Sequence, residues 1–414
     1  MEDFFDRFQR ITGVSKYSNS EVITPSWVVS DMVDLLPSEV FNKEARFLDP
    51  AVKSSRFLAE IYRRLMSSEA MKQAFPNEQA RQQHILDNQL YGLATSGAAA
   101  TIARKQLYND PTRRGNIIYT DGYPNSIKNK DFGAIIQGAF NIMKFDVVIG
   151  NPPYNNDIYL DFVTLGHKLS SQYTCMITPA KWQAKGGDKN ERFRKDIVPH
   201  MKKVVFYINE KDIWEDLMCT GGLTYYLIDK ETHDCVEITN KYYNGKTFNG
   251  IKIPAFNNVE TRNIDMCLNN FGYKTVEKLK NVPKISIESY DRGHRYRYRF
   301  SKLFTESSKP LVLNPPYIED ALKPANLSAN YPIRFSSNNI NEVASFISYV
   351  YSKFVRYLLL IGLCSTEMAS DYVWRFVPDP GAFDHIFTDQ ELYQKYGLTA
   401  DEIAIIESVI KERK

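Results

Sequence analysis

Over the first 230 residues, short apolar runs alternate with stretches of helical spacing. Apolar positions 28, 29, 32, 33 and 36 repeat with a helical period just after Thr24-Pro25. Strand-like runs follow at 45–50, 89–93, 116–120 and 145–150, with helical repeats over 56–66 and 98–107 between them. The alternation continues with a helix over 158–169, a strand over 173–178 and a helix over 189–198. Strands over 204–207 and 223–228 close it. Strands separated by helices imply an α/β fold, a Rossmann-like, doubly wound, mostly parallel sheet. Near 229–233 the regular alternation gives way to short strands, turns and lone aromatics. This divides the chain into a first domain over 1–232 and a second, α+β domain over 233–414, which ends in helices over 343–360 and 400–410.

One run carries more chemistry than the others. The β-branched segment 147–149 stops at Gly150 and is followed by Asn151-Pro152-Pro153-Tyr154. The prolines fix φ and hold the preceding residue extended, so Asn151 is presented in one geometry. An amide on a locked backbone beside an aromatic face suits a flat ring that bears an amino group, such as adenine. An ordinary Asn-Pro turn with a packed tyrosine explains the tetrapeptide equally well when it is taken alone.

Composition narrows the field only modestly. The chain has 414 residues, 43% hydrophobic and 24% charged, which fits a globular protein with two or three domains. Its net charge of +3 neither demands nor excludes nucleic acid, so any basic face must be local. The cysteines at 175, 219, 235, 267 and 364 form no C-x-x-C pair and indicate neither zinc nor a disulfide framework. The start lacks a signal peptide's basic and apolar regions, and the most apolar stretch, 357–364, is too short to span a bilayer. A cytoplasmic protein is expected, without membrane or metal partners.

Three strand ends carry polar loops: Asp49-Pro50-Ala51, Asp121-Gly122 and Asn151-Pro152-Pro153-Tyr154. At the carboxyl ends of strands in an open α/β sheet, such loops can line one crevice. With Thr24-Pro25 ahead of them, their order resembles the gamma-class adenine-N6 DNA methyltransferases, TaqI-like enzymes with an NPPY motif. The likeness is greatest to methylase modules of restriction–modification systems. Tyr91-Gly92-Leu93-Ala94-Thr95 and the closing segments 374–378 and 392–399 extend it over most of the chain.

The resemblance implies a class I methyltransferase fold with a target-recognition second domain. It implies S-adenosyl-L-methionine as cofactor and double-stranded DNA as substrate, with the target adenine flipped out of the helix. Asn151, Pro152, Pro153 and Tyr154 become the catalytic residues, with the Asn151 side-chain oxygen and the Pro152 carbonyl accepting from the adenine amino group. Tyr154 and Trp214 become the residues that stack on the base. Thr24, Pro25, Asp49, Pro50, Ala51, Thr95, Asp121 and Phe162 become cofactor residues. Plain alternatives stand beside these roles: turn capping for Asp49 and Asp121, core packing for Trp214.

Departures from the family pattern are Ser55, where glycine is usual, Val52, where cysteine is common, and the absence of an acid after the second strand. Asn-Pro-Pro-Tyr recurs at 314–317, but without a preceding cofactor unit, and is read as structural. The alternation of cation and aromatic from Arg292 through Arg295, Arg297 and Arg299 puts the last three on one strand face, suited to DNA phosphates. A solvated strand face is the alternative. No cleavage domain is evident, so a separate cognate restriction endonuclease is the expected partner if there is one, and the chain is expected to be a monomer. RNA adenine, cytosine-N4 or a protein amide as substrate, or a DNA-binding subunit with weakened cofactor binding, remain competing readings.

Overall fold

The computed structural model describes residues 23–120, 123, 127, 132–183, 187–207, 210–214, 222–241, 247–254, 273–287, 292–299, 317–322, 333–362 and 371–410. The strands of the main sheet are β1 (Phe47–Val52), β2 (Leu90–Ala94), β3 (Ile117–Ile118), β4 (Phe145–Gly150) and β5 (Ser170–Pro179). They continue with β6 (Met201–Tyr207), β7 (Leu223–Ile228), β8 (Cys235–Lys241) and β9 (Thr247–Pro254). The helices alongside are α1 (Ser26–Val33), α2 (Arg56–Ser67), α3 (Glu69–Ala74), α4 (Glu78–Asn88), α5 (Gly97–Tyr108), α6 (Phe132–Phe140), α7 (Ile158–Leu169) and α8 (Asp188–Ile197).

The nine strands run in the order β3-β2-β1-β4-β5-β7-β6-β8-β9. Strands β1 to β5 run parallel to one another, and β7 lies antiparallel between β5 and β6. This is the class I methyltransferase architecture that the resemblance implied. Successive residues of the central strands feed two apolar layers. Phe47, Val147, Ile149 and Cys175 pack with residues of α1, α2, α4 and α5. Leu48, Val148 and Met176 pack with residues of α6, α7 and α8. Covering both faces is what makes these strands continuous apolar runs instead of alternating ones.

From β1 the chain winds outward to β2 and β3, then returns to lay β4 on the other side of β1. The reversal makes the β1–β4 boundary a topological switch point, where the carboxyl ends open a crevice. Asp49 and Asn151 stand on the two sides of that boundary.

Four features differ from the sequence reading. The Asp49-Pro50-Ala51 segment does not follow β1 but lies inside it, at a register irregularity between Asp49 and Val52. Proline cannot donate to the ladder, so a bulge is where a strand tolerates it. The sheet also continues beyond 232: β8 pairs parallel with β6, β9 pairs antiparallel with β8, and Val236 and Ile238 join the core. Helices α3 and α4 fill 69–88, where no element was predicted. The apolar stretch 343–360 is two helices, α10 (Ile340–Tyr351) and α11 (Lys353–Gly362), broken at Ser352. These follow α9 (Tyr273–Leu279) and precede α12 (Asp389–Lys395) and α13 (Ala400–Val409).

In the second half, a three-stranded antiparallel sheet runs β11-β10-β12, with β10 (Tyr296–Arg299) between β11 (Tyr317–Asp320) and β12 (Ile333–Ser337). Phe335 of β12 stacks on Phe346 of α10 at 4.4 Å, and Tyr298 packs against the same ring.

Candidate active site

At the switch point the two central strands come together because β4 ends in glycine. A Cβ on Gly150 would stand 2.7 Å from Asp49 Oδ1 and 3.3 Å from its Cγ. The bulge in β1 turns the Asp49 carboxylate back on its own strand, where Oδ1 accepts from the Ala51 N–H at 2.9 Å. Asp49 is only 3% exposed. Burial pushes its carboxyl up to about 7, opposed by the Ala51 N–H and by the Lys53 ammonium. This is a buried acid poised between its charged and neutral forms at neutral pH.

Asn151 follows directly, 4% exposed. Its Nδ2 donates to Thr24 Oγ1 at 3.1 Å, and Lys53 Nζ donates to its main-chain carbonyl at 3.3 Å. Its side-chain oxygen, Oδ1, is buried and accepts no hydrogen bond. Pro152 and Pro153 are buried, while Tyr154 is half-buried between the two apolar layers, its ring 6.3 Å from Tyr159 and edge-on to it. Beyond the tyrosine, Asn156 and Asp157 both adopt left-handed conformations, with φ of 54° and 55°. Lys189 holds the second of these by donating to the Asp157 carbonyl at 2.8 Å. Consecutive left-handed residues without glycine are costly and mark a loop whose shape is imposed by its surroundings.

A strap formed by Ile23, Thr24 and Pro25 crosses the site before α1. Arg56 Nη1 donates to the Thr24 carbonyl at 2.8 Å, and Trp214 Nε1 donates to the Ile23 carbonyl at 2.9 Å. Trp214 reaches the crevice because β6 and β7 form a hairpin, whose connection leaves from the carboxyl end of β6. The indole packs against the apolar layer around α1 and α2 and fastens the strap.

The remaining expected residues divide. Ser55 caps α2 in a left-handed conformation, φ 56°, and its hydroxyl is buried without a partner. That φ is the reason glycine suits this position. The Thr95 hydroxyl is likewise buried and unpartnered, beside β1, where the Thr95 N–H donates to Val52 O at 3.3 Å. Phe162 is fully buried in α7 and packs edge-on to Tyr123, whose hydroxyl donates to the Pro50 carbonyl. Asp121 and residues 314–316 of the second tetrapeptide lie outside the described residues. A small cleft is lined by Thr24, Asp49, Lys53, Ser55, Arg56 and Asn151, together with Ile23, Ala51, Ser54 and Phe57.

The arginine strand has the two faces that were expected, and its cations are paired within the sheet. Tyr298 faces the core and is fully buried. On the opposite face, Arg299 Nε donates to Glu319 Oε2 at 2.7 Å and Arg297 lies 3.7 Å from the same oxygen. Arg295 pairs with Asp320 at 3.2 Å. Two carboxylates of β11 therefore engage these three arginines, tying β10 to its neighbour. Arg292 is exposed. Among the described residues, no group of three or more His, Cys, Asp or Glu side chains could hold a metal ion, and no helix is long and apolar enough to cross a membrane.

Comparison with known proteins meets this geometry. Residues 88–214, which include β4, the Asn151 loop and Trp214, match the model of the Eco57I restriction-modification methylase family. Over that stretch the chain is similar to Eco57I-type methylases. It is 23% identical over 289 residues to a Mycoplasma pneumoniae protein described as an uncharacterized adenine-specific methylase, covering 52% of this chain and 68% of that one. The M protein of the type I restriction enzyme EcoKI is similar over 66% of this chain and 60% of its own, at 13% identity and a TM-score of 0.43. The type IIL restriction-modification enzyme MmeI, solved in complex with DNA, is similar over 72% of this chain and 47% of its own, at 12% identity and a TM-score of 0.42. The chain thus spans less than two thirds of both solved proteins.

Sequence reasoning passed over three side chains around the site. Lys53 and Arg56 sit inside the stretch already singled out, but neither was given a role. Tyr123 lies two residues past Asp121, and nothing in its neighbours marked it for the Pro50 carbonyl.

Proposed function

We propose that this chain transfers a methyl group from S-adenosyl-L-methionine to the N6 amino group of an adenine in double-stranded DNA. The observation that carries the proposal is the Asn151 side-chain oxygen, buried at the switch point with nothing to accept from. A buried acceptor without a donor costs about 1–3 kcal/mol, which a site tolerates when a substrate supplies the donor. An exocyclic amino group is such a donor. With Asn151 Oδ1 and the Pro152 carbonyl as two fixed acceptors, its nitrogen is held in place and the positive charge that develops on it is stabilised. Tyr154 offers a ring at the same loop to stack on the base. A base inside a duplex cannot reach a buried loop, so the target must be extruded, at a cost of a few kcal/mol.

The residues around Asp49 suit the cofactor. Asp49 is a buried carboxyl able to take a cation's charge, and the Thr95 hydroxyl is buried with free hydrogen-bonding capacity. Asp49, Pro50, Ala51, Thr95, Asp121, Thr24, Pro25 and Phe162 would hold S-adenosyl-L-methionine. When bound, it supplies a methyl group on a cationic sulfur, the electrophile. Trp214 grips the base if it leaves Ile23 when DNA binds. Residues of the second half read the target sequence, with Arg292 on the phosphates. We place the protein in the prokaryotic or phage cytoplasm, as a monomer that methylates either beside a separate cognate endonuclease or alone.

The test is tritiated methyl transfer from S-adenosyl-L-methionine to duplex DNA, with parallel reactions on RNA and protein. Label in N6-methyladenine of DNA alone supports the proposal. Label only in cytosine, RNA or protein overturns it.

A further inference from the structure

Resting on the methyl-transfer reading, we infer that Trp27 is a DNA-stacking residue. Its indole covers the base beside the target adenine, on the same strand, when the adenine leaves the duplex. Trp27 stands three positions past Thr24, so their Cα atoms lie within about 11 Å of each other. Thr24 in turn touches Asn151, with 3.1 Å between its Oγ1 and Nδ2. Helix α1 buries Val28, Val29, Met32 and Val33 and turns the Trp27 indole outward, 44% exposed. A single exposed apolar side chain is ordinary on a protein surface, so exposure alone assigns nothing. Its place in the fold does.

The indole leans on Tyr207, with ring centroids 6.3 Å apart and planes tilted by 59°. Tyr207 is the last residue of β6. That strand runs parallel to β4 and β5, because β7 is antiparallel to both β5 and β6. Tyr207 therefore marks the same carboxyl edge at which β4 delivers Asn151. Along this edge the indole and the cofactor residues fall on opposite sides of Asn151. Asp49 lies in β1 and Thr95 follows β2, on one side of β4, whereas β6 lies on the other. In-line transfer needs the amino group and the sulfur on opposite sides of the methyl group, so the base enters from the β5–β6 side. Trp27 stands on that side. A stacked duplex offers an indole no base face, but extruding the adenine unstacks its neighbours. A ring that covers the exposed face recovers part of the cost, whichever base it is, because every base has a π-face. Tyr207 is buried and backs the indole instead of competing for the base. Tyr154 and Trp214 are assigned to the extruded adenine itself, a separate task.

The experiment uses two duplexes, one carrying a site that the wild-type chain methylates, located by sequencing DNA it has treated, and one without such a site. It reads affinity for each by fluorescence anisotropy, and affinity for S-adenosyl-L-methionine by calorimetry. Trp27→Ala should weaken binding to the site duplex about tenfold to a hundredfold, with the other duplex and the cofactor bound within about twofold of wild type. Trp27→Phe should keep most of the affinity. Met143→Ala, at an exposed apolar residue just before β4 on the opposite edge, should change nothing. An abasic nucleotide in place of one of the two bases flanking the target adenine should remove the difference between wild type and Trp27→Ala. Wild-type affinity of Trp27→Ala for the site duplex overturns the assignment. So does an equal loss on both duplexes, a phenylalanine variant as weak as alanine, or a difference that survives an abasic nucleotide at either flanking position. A wild-type chain that methylates no duplex DNA defeats the methyl-transfer reading itself, which is a different result from a methylating wild type beside an unaffected Trp27→Ala.

Discussion

Gly150 and Asp49 occupy adjacent strands so closely that a single methyl group between them would meet the carboxylate at 2.7 Å. Hydrogen at that position lets β4 deliver Asn151 beside the buried acid of β1. The acid cannot easily swing away, because its Oδ1 is held by the Ala51 N–H. Gly150→Ala should therefore displace the Asp49 carboxylate and weaken S-adenosyl-L-methionine binding by about tenfold or more, by the cost of one misplaced charge-assisted hydrogen bond. Calorimetry checks it, and an alanine variant that binds like wild type would show that the contact is inessential.

Asp49 should make both cofactor binding and stability depend on pH. Burial raises its carboxyl from 3.8 to about 7, so the fold favours the neutral form. The stabilisation is complete below the unfolded value and is lost as pH rises through about 7. A cationic ligand needs the ionised form, so affinity should fall about tenfold for each pH unit below 7. Melting curves at pH 5 and pH 8 should show Asp49→Asn gaining more stability over wild type at the higher pH. A constant difference would contradict the assignment.

Ser55 holds a left-handed conformation with a buried, unpartnered hydroxyl. Such a conformation costs roughly 1–2 kcal/mol for a residue with a Cβ, partly offset in a glycine variant by greater freedom in the unfolded chain. Ser55→Gly should stabilise the protein by about 1 kcal/mol in chemical denaturation without weakening the cofactor. Destabilisation would mean the hydroxyl has a role that geometry does not reveal.

Much of this was legible in the sequence because local pattern and local structure coincide there. The helix over 158–169 and the strand ending at Gly150 follow directly from apolar spacing and from the prolines after Asn151. What was not legible depends on partners distant in sequence. Periodicity reports that 223–228 is a strand, but not that it inserts antiparallel between β5 and β6. The 235–254 segment was assigned to the second domain because its turns broke the alternation, yet its strands extend the first sheet. Helices α3 and α4 were missed because their faces are largely polar. At the site, Asn151 was readable from its own neighbours, whereas the strap of Thr24, Arg56 and Trp214 exists only once residues far apart in the chain are folded together.

The arginine strand yields a distinct expectation. Glu319 is buried and faces both Arg297 and Arg299. Removing one partner from a buried ion pair costs about 3–5 kcal/mol, so Glu319→Gln should lower the melting temperature clearly. Arg292→Ala should reduce the salt dependence of DNA binding by about one ion. If Glu319→Gln instead left stability intact and tightened DNA binding, the arginines would be phosphate contacts after all.

The central claim stands or falls on one comparison: N6-methyladenine measured by mass spectrometry in duplex DNA treated with the wild-type chain, Asn151→Ala and Asn314→Ala. Methylation by the wild type and Asn314→Ala, with none by Asn151→Ala, is the predicted result. Methylation that survives Asn151→Ala and disappears in Asn314→Ala would contradict it.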